Sequence, residues 1–228
     1  MQIVAKEKLI EWLFATRALR VAAADQPFWY TSGTFGPYYI NTHFLFGGEQ
    51  KAKNLLNLID STDDRTDLTA QLQQKVMQQY ASDQRYRQLM DGVAAYLADE
   101  RCDFISGGAR RDFFFSFCAA TLLDKPHVSL FKDGTLIWSD AGGQNGQQMQ
   151  AQALAGQTAL HVADLVTEAS SYIRVWLPGL HRLGASIHRT LAIVDRNQNG
   201  RAILAAEGVG LSSLITIDAS LFKQAADT

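Results

Sequence analysis

Cys102-Asp103-Phe104-Ile105-Ser106-Gly107-Gly108-Ala109-Arg110-Arg111 runs almost directly into an apolar stretch at 113–123. The opening residues make a short apolar run of strand length. The Phe-, Ala- and Leu-rich stretch after the arginines is apolar on every side, as a helix buried in a core must be. Pro126 then precedes a second strand-like run at 127–131. Strand, glycine turn, buried helix and strand make one crossover unit of a parallel sheet.

The alternation continues toward the C-terminus. Lys132-Asp133-Gly134-Thr135 reads as a hairpin turn into Leu136-Ile137-Trp138, because Asp-Gly tolerates positive φ. Residues 141–156 are Gln- and Gly-rich and predict a loop with a short helix. Strands are predicted at 158–163, 187–194 and 211–217. Between them lie a polar turn at 164–171, a helix running on to Leu183, and a helix at 200–207. This order predicts an α/β fold, with a mainly parallel sheet flanked by helices. Ligands in such sheets bind beyond the carboxyl ends of the strands. The segments 106–112, 132–147, 164–171 and 195–201 are therefore the places to seek a site.

Toward the N-terminus, residues 4–21 predict an amphipathic helix with Leu9, Ile10, Leu13 and Phe14 on one side. Phe28-Trp29-Tyr30-Thr31-Ser32-Gly33-Thr34-Phe35-Gly36-Pro37-Tyr38-Tyr39-Ile40-Asn41 reads as two short strands around a turn. Ser61-Thr62-Asp63-Asp64 is a polar break with capping chemistry, followed by Leu68, Leu72, Val76 and Tyr80 at helical spacing. Ser82 is placed to cap a further helix carrying Tyr86, Leu89, Met90, Val93 and Leu97. The expected organisation is an N-terminal helix and hood over 1–59, a helical expansion over 60–101 and a core over 102–228, all in one domain.

The 228 residues are 47% hydrophobic and 19% charged, with a formal net charge of -2. That balance gives no electrostatic reason to expect a nucleic-acid partner. No apolar stretch reaches the roughly 18 residues of a membrane span, and Lys6, Glu7, Lys8 and Glu11 interrupt the start where a signal peptide would be apolar. A cytoplasmic protein is expected. Cys102 and Cys118 read as free thiols in apolar surroundings. His127 and His161 fall on predicted strands as core histidines, and His43 is the histidine best placed for a functional role.

Three segments carry candidate chemistry. In Gly107, Gly108, Ala109, Arg110 and Arg111, glycines let backbone N–H groups approach an anion, and the arginines add charge. A plain strand-to-helix turn with solvated arginines accounts for them equally well. In Asp164-Leu165-Val166-Thr167-Glu168-Ala169-Ser170-Ser171, an acid suits ribose hydroxyls, while Thr167, Ser170 and Ser171 suit a phosphate. An ordinary N-capped helix start is the alternative. Arg196 follows a strand, where its fork suits a carboxylate or simply the solvent.

Taken in order, the aromatic-Ser-Gly segment, Gly-Gly-Ala-basic, the acid-Thr-Ser turn and Asp195-Arg196…Gly200-Arg201 resemble the orotate phosphoribosyltransferases of the type I phosphoribosyltransferase family. The resemblance covers residues 1–45 and 102–218. It implies transfer of ribose 5-phosphate from phosphoribosyl diphosphate to a pyrimidine-like base, with Mg2+, in a homodimer. It assigns the catalytic roles to Lys132 and Asp164. It gives the phosphate and diphosphate to Gly107, Gly108, Ala109, Arg110, Arg111, Thr167, Ser170 and Ser171. The base falls to Ser32, Gly33, Tyr39, Thr167 and Arg196, and the protein supplies no direct metal ligand. A non-catalytic nucleotide- or base-binding protein on the same fold is the alternative.

The pattern also departs from the family. Thr31 stands where the family has a lysine, and Asp112 replaces a glycine, bringing negative charge toward the diphosphate. Ala163 stands where the family's first acid belongs. Glu168 and Ala169 replace a small residue and a glycine in the phosphate turn. The basic groups of the mobile loop after Lys132 give way to Asp-Gly-Thr-Leu-Ile-Trp. A Glu168 carboxylate aimed at a phosphate would cost on the order of several kcal/mol.

Overall fold

The computed structural model describes residues 4–22, 28–29, 35–36 and 38–217. Helix α1 (Lys6–Ala15) buries Leu9, Trp12 and Leu13. It is shorter than the periodicity predicts. The Thr16 hydroxyl donates back to the Trp12 carbonyl at 2.7 Å, Arg17 turns to φ 58°, and Leu19–Val21 leaves as strand β1. Strands β2 (Phe28–Trp29) and β3 (Phe35–Gly36) pair antiparallel, as the aromatic runs predict, while β4 (Tyr38–Ile40) pairs with β1.

A 3-10 turn at Thr42–Phe46 leads to α2 (Glu49–Ser61), a helix with no counterpart among the sequence-based expectations. Its signal is Ala52, Leu55 and Ile59, spaced by three and four, and all three are buried. Helices α3 (Arg65–Ser82) and α4 (Gln84–Leu97) follow. Asp64 caps α3 by accepting from the Thr66 N–H at 2.8 Å, and Asp83, rather than Ser82, caps α4.

The main sheet holds β5 (Phe104–Gly108), β6 (His127–Leu130), β7 (Leu136–Ser139), β8 (Gln147–Gln148), β9 (Thr158–Val166), β10 (Ser186–Asp195) and β11 (Gly210–Thr216). Its order is β11-β10-β9-β5-β6-β7-β8. The strands from β11 to β6 are parallel, and β7 and β8 add an antiparallel edge. The fold is α/β, as the alternation of elements predicts.

Helix α5 (Phe113–Leu122) is buried over nearly its whole length, between the sheet and the α3–α4 pair. One apolar cluster joins residues of α1 to α5 to that face. A second joins Leu177 and Leu180 of α6 (Leu177–Arg182), and Leu204 of α7 (Gly200–Ala206), to the opposite face.

Two further details differ from expectation. Strand β9 runs three residues past Ala163, so Asp164 lies in the sheet and not in the turn. The segment 141–150 forms no helix. It docks on α3, where the Thr69 hydroxyl donates to the Gly143 carbonyl at 2.9 Å.

From β5 the chain crosses to β6 on one side, while β9 arrives on the other. Where successive connections diverge in this way, a crevice opens beyond the strand ends.

Candidate functional site

That crevice holds a pocket of about 370 Å³. One wall is the loop after β5, with Gly108, Ala109, Arg110, Arg111 and Asp112. The other is the end of β9 and the turn beyond it, with Asp164, Thr167, Ala169, Ser170 and Ser171. Lys132 closes one side. Two segments far apart in sequence, each ambiguous alone, thus face one another. Gly107 lies off the pocket wall, buried in β5, where a Cβ would collide with Ser116. A Cβ on Gly108 would overlap the indole of Trp176, which also lines the pocket. The close approach that this glycine permits is therefore to an aromatic ring.

Asp112 organises the first wall. Its Oδ2 accepts from the Gly108 N–H at 2.8 Å, and its Oδ1 accepts from the Asp164 N–H at 2.9 Å. His161 Nε2 stands 3.3 Å from Oδ2, while its Nδ1 is 3.0 Å from the Ser106 hydroxyl. The carboxylate thus ties the end of β5 to β9. Asp112 lines the pocket, as expected from its place in the loop, and both its oxygens are engaged by the protein. Among the cations, Arg110 pairs with Asp60 of α2. Arg111 and Lys132 are exposed on the pocket wall and form no ion pair among the described residues.

The second wall is organised differently. The N–H groups of Thr167, Glu168 and Ala169 donate to no protein acceptor among the described residues. Ala169 is buried at φ 53°. An alanine in that region costs about 1–2 kcal/mol, and such strain persists where the surrounding structure imposes it. Glu168 is exposed and is not among the residues lining the pocket, so its charge is solvated. Asp164 is buried, with its Oδ2 unpartnered. Burial, and then the neighbouring Asp112 carboxylate, hold its pKa well above the ordinary carboxylate range, against the pull of Arg111.

Two acids this close do not fit direct ligation of Mg2+. Asp112 is consumed by backbone groups, Asp164 is buried in surroundings that raise its pKa, and Ala163 supplies no side-chain oxygen. Among the described residues, no cluster of His, Cys, Asp and Glu could hold a metal ion.

Of the base-side residues, Thr167 lines this pocket, while Tyr39 and Arg196 are not among its lining residues. The Arg196 N–H donates to the Val166 carbonyl at 2.9 Å, which sets the arginine beside Thr167. Its guanidinium lies 5.0 Å from the Tyr38 ring centre, and Nε donates to the Tyr38 hydroxyl at 3.2 Å. Strand alternation sends Tyr39 the other way, into a separate hollow with Arg17, Arg20 and Asn41. Tyr38 is thus an aromatic partner of Arg196. Ser32 and Gly33 lie outside the described residues. Arg201 holds Asp195 at 3.1 Å and the Leu211 carbonyl, tying α7 to the sheet.

The histidines serve the interior. His127 lies between the Ser116 and Ser129 hydroxyls at 2.9 and 3.1 Å, with burial pushing its pKa down to about 3. His43 is buried against Phe44 and Phe114. Burial and the charges of Arg111 and Arg110 bring its pKa to about 3, and it serves the core. Lys132 opens a tight hairpin whose Asp133 is held by Arg65 of α3 at 2.7 Å. The segment that would carry a mobile basic loop is instead short and braced.

No protein-family model matches the chain. It is 27% identical to the orotate phosphoribosyltransferase of Natronomonas pharaonis over 132 residues, covering 57% of this chain and 69% of that protein. A second relative of the same name, from Halobacterium salinarum, is 34% identical over 61 residues, about a third (34%) of its own length. The chain is orotate phosphoribosyltransferase-like. Its fold agrees. The crystal structure of orotate phosphoribosyltransferase from Aeropyrum pernix superposes with a TM-score of 0.56 at 18% identity, covering 96% of this phosphoribosyltransferase-like chain and 99% of that one. No described helix is long and apolar enough to cross a membrane.

Proposed function

We propose that this chain is a divergent phosphoribosyltransferase of nucleotide metabolism, acting in the cytoplasm on a pyrimidine-like base and phosphoribosyl diphosphate. The observation that carries this reading is the single pocket into which the loop after β5, Lys132 and the turn after β9 converge. In it, Arg110, Arg111 and Lys132 meet the diphosphate. Thr167, Ser170, Ser171 and the turn amides hold the 5-phosphate. Asp164 orients the ribose, and Arg196 with Tyr38 faces the base.

The protein's contribution is to position both reactants and stabilise the charge on the departing diphosphate. The resemblance implies Mg2+, but the carboxyl groups of the pocket do not fit direct ligation of it. A homodimer, also implied by the resemblance, is tested by light scattering, which should give twice the chain mass of 25.2 kDa.

Ala163 and the burial of Asp164, which disfavours its ionised form, favour a second reading, a nucleotide- or base-binding protein without turnover. Incubating the chain with phosphoribosyl diphosphate and orotate separates the two. Release of diphosphate with formation of the nucleotide supports transfer. Nucleotide binding without turnover supports the second reading. Failure to bind either ligand contradicts both.

A further inference from the structure

We propose that the pocket takes the phosphate groups of its ligand with side-chain cations, hydroxyls and backbone amides alone, without a divalent metal, and that Asp112 is the residue responsible. This rests on the reading that a phosphate-bearing ligand occupies the pocket.

A metal held between a ligand and the protein needs ionised oxygens that point outward. The end of β9 offers one carboxyl group, since Ala163 stands beside Asp164. Asp112, four residues beyond Gly108, brings a second carboxylate against Asp164 from the opposite wall. Its own oxygens are spent on the Gly108 and Asp164 N–H groups and on His161. Asp164 is buried beside that carboxylate, and burial and the neighbouring negative charge disfavour its ionised form. The Oδ2 of Asp164 is buried and unpartnered, so it does not point outward as a metal ligand must. The acid pair therefore offers the ligand no metal seat.

The remainder of the lining completes an anion site. Arg111 and Lys132 have no ionic partner among the described residues. Thr167, Ser170 and Ser171 present hydroxyls, and the N–H groups of 167–169 have no acceptor among them. Charge-assisted donors of this kind match phosphate oxygens directly. A metal already bound to the phosphates would cancel charge that these groups recognise.

The test is calorimetric titration of the full chain with phosphoribosyl diphosphate, once in excess EDTA and once in excess Mg2+, with uridine monophosphate as a second ligand that lacks a diphosphate. The expected result is an affinity in EDTA equal to or tighter than that in Mg2+ for both ligands. An affinity tenfold or more tighter in Mg2+ overturns the inference while leaving the proposed function standing. No binding of either ligand in either buffer overturns both.

Arg111→Gln should weaken binding in EDTA about tenfold, and unchanged binding contradicts the cation-based account. Asp112→Gly combined with Ala163→Asp, with folding checked by circular dichroism, should acquire tenfold tighter binding in Mg2+. A folded double variant that stays indifferent to Mg2+ removes Asp112 from the account.

Discussion

The two walls of the pocket have the same kinds of residue and use them in opposite ways. In the loop after β5, only Arg111 is left open: the Gly108 N–H is bound by Asp112, and Arg110 is bound by Asp60. In the turn after β9, three N–H groups find no acceptor among the described residues, and Ala169 is held at φ 53°. One wall is committed to the fold and the other is kept open. A resemblance in sequence assigns phosphate chemistry to both, and only the hydrogen-bond accounting separates them.

The comparison breaks most visibly at Asp112. Replacing it by alanine leaves the Gly108 and Asp164 N–H groups without their acceptor, and should lower stability by about 2–4 kcal/mol in urea denaturation. A loss below about 1 kcal/mol would mean that the first wall is not committed to the fold. Gly108→Ala should cost about 1–3 kcal/mol, because the added methyl group overlaps the Trp176 indole. Retention of full stability would show that the loop has room to give.

Acid should act next. His43 and His127 titrate near 3 when folded, against an ordinary value of 6.5. The unfolded chain therefore binds protons that the native chain refuses, and the stability these residues hold above pH 6.5 is lost as pH falls. Asp164, raised when folded, works in the opposite direction, since its native form gains the proton first. Each histidine takes away about 1.4 kcal/mol per pH unit below 6.5, and Asp164 offsets part of that loss. Denaturation at pH 7, 6 and 5 measures it, and a flat or rising profile would contradict the assignment of buried neutral histidines. The smallest effect belongs to the open wall. Ala169→Gly relieves the positive φ but loosens the unfolded chain, for a net gain of about 0.5 kcal/mol. A loss of stability would mean that the turn is not strained.

How much of this the sequence carried depended on how far apart the partners lie. Strands β5, β6, β9, β10 and β11 are apolar runs bounded by turn residues, and they were legible locally. So was the hairpin at Asp133-Gly134, where Gly134 takes φ 84°. The extension of β9 through Val166 was not, because the acid at 164 reads as the start of a turn unless the β10 partner strand is known. Tyr38 and Tyr39 differ only in which face of β4 they occupy, which pairing with β1 decides. Asp112 reads as a misplaced charge until β9 brings the Asp164 N–H to it. Trp176 bears no local mark of its place over Gly108. The pocket's residue types were legible, but the direction in which each polar group points was not.

The most direct test is the perturbation of backbone amide resonances when uridine monophosphate is added to isotope-labelled protein. The account predicts the largest shifts at 167–171, with the Gly108 amide, already bound to Asp112, moving little. Largest shifts at Gly108, in the hollow formed by Arg17, Arg20 and Tyr39, or nowhere, would contradict it.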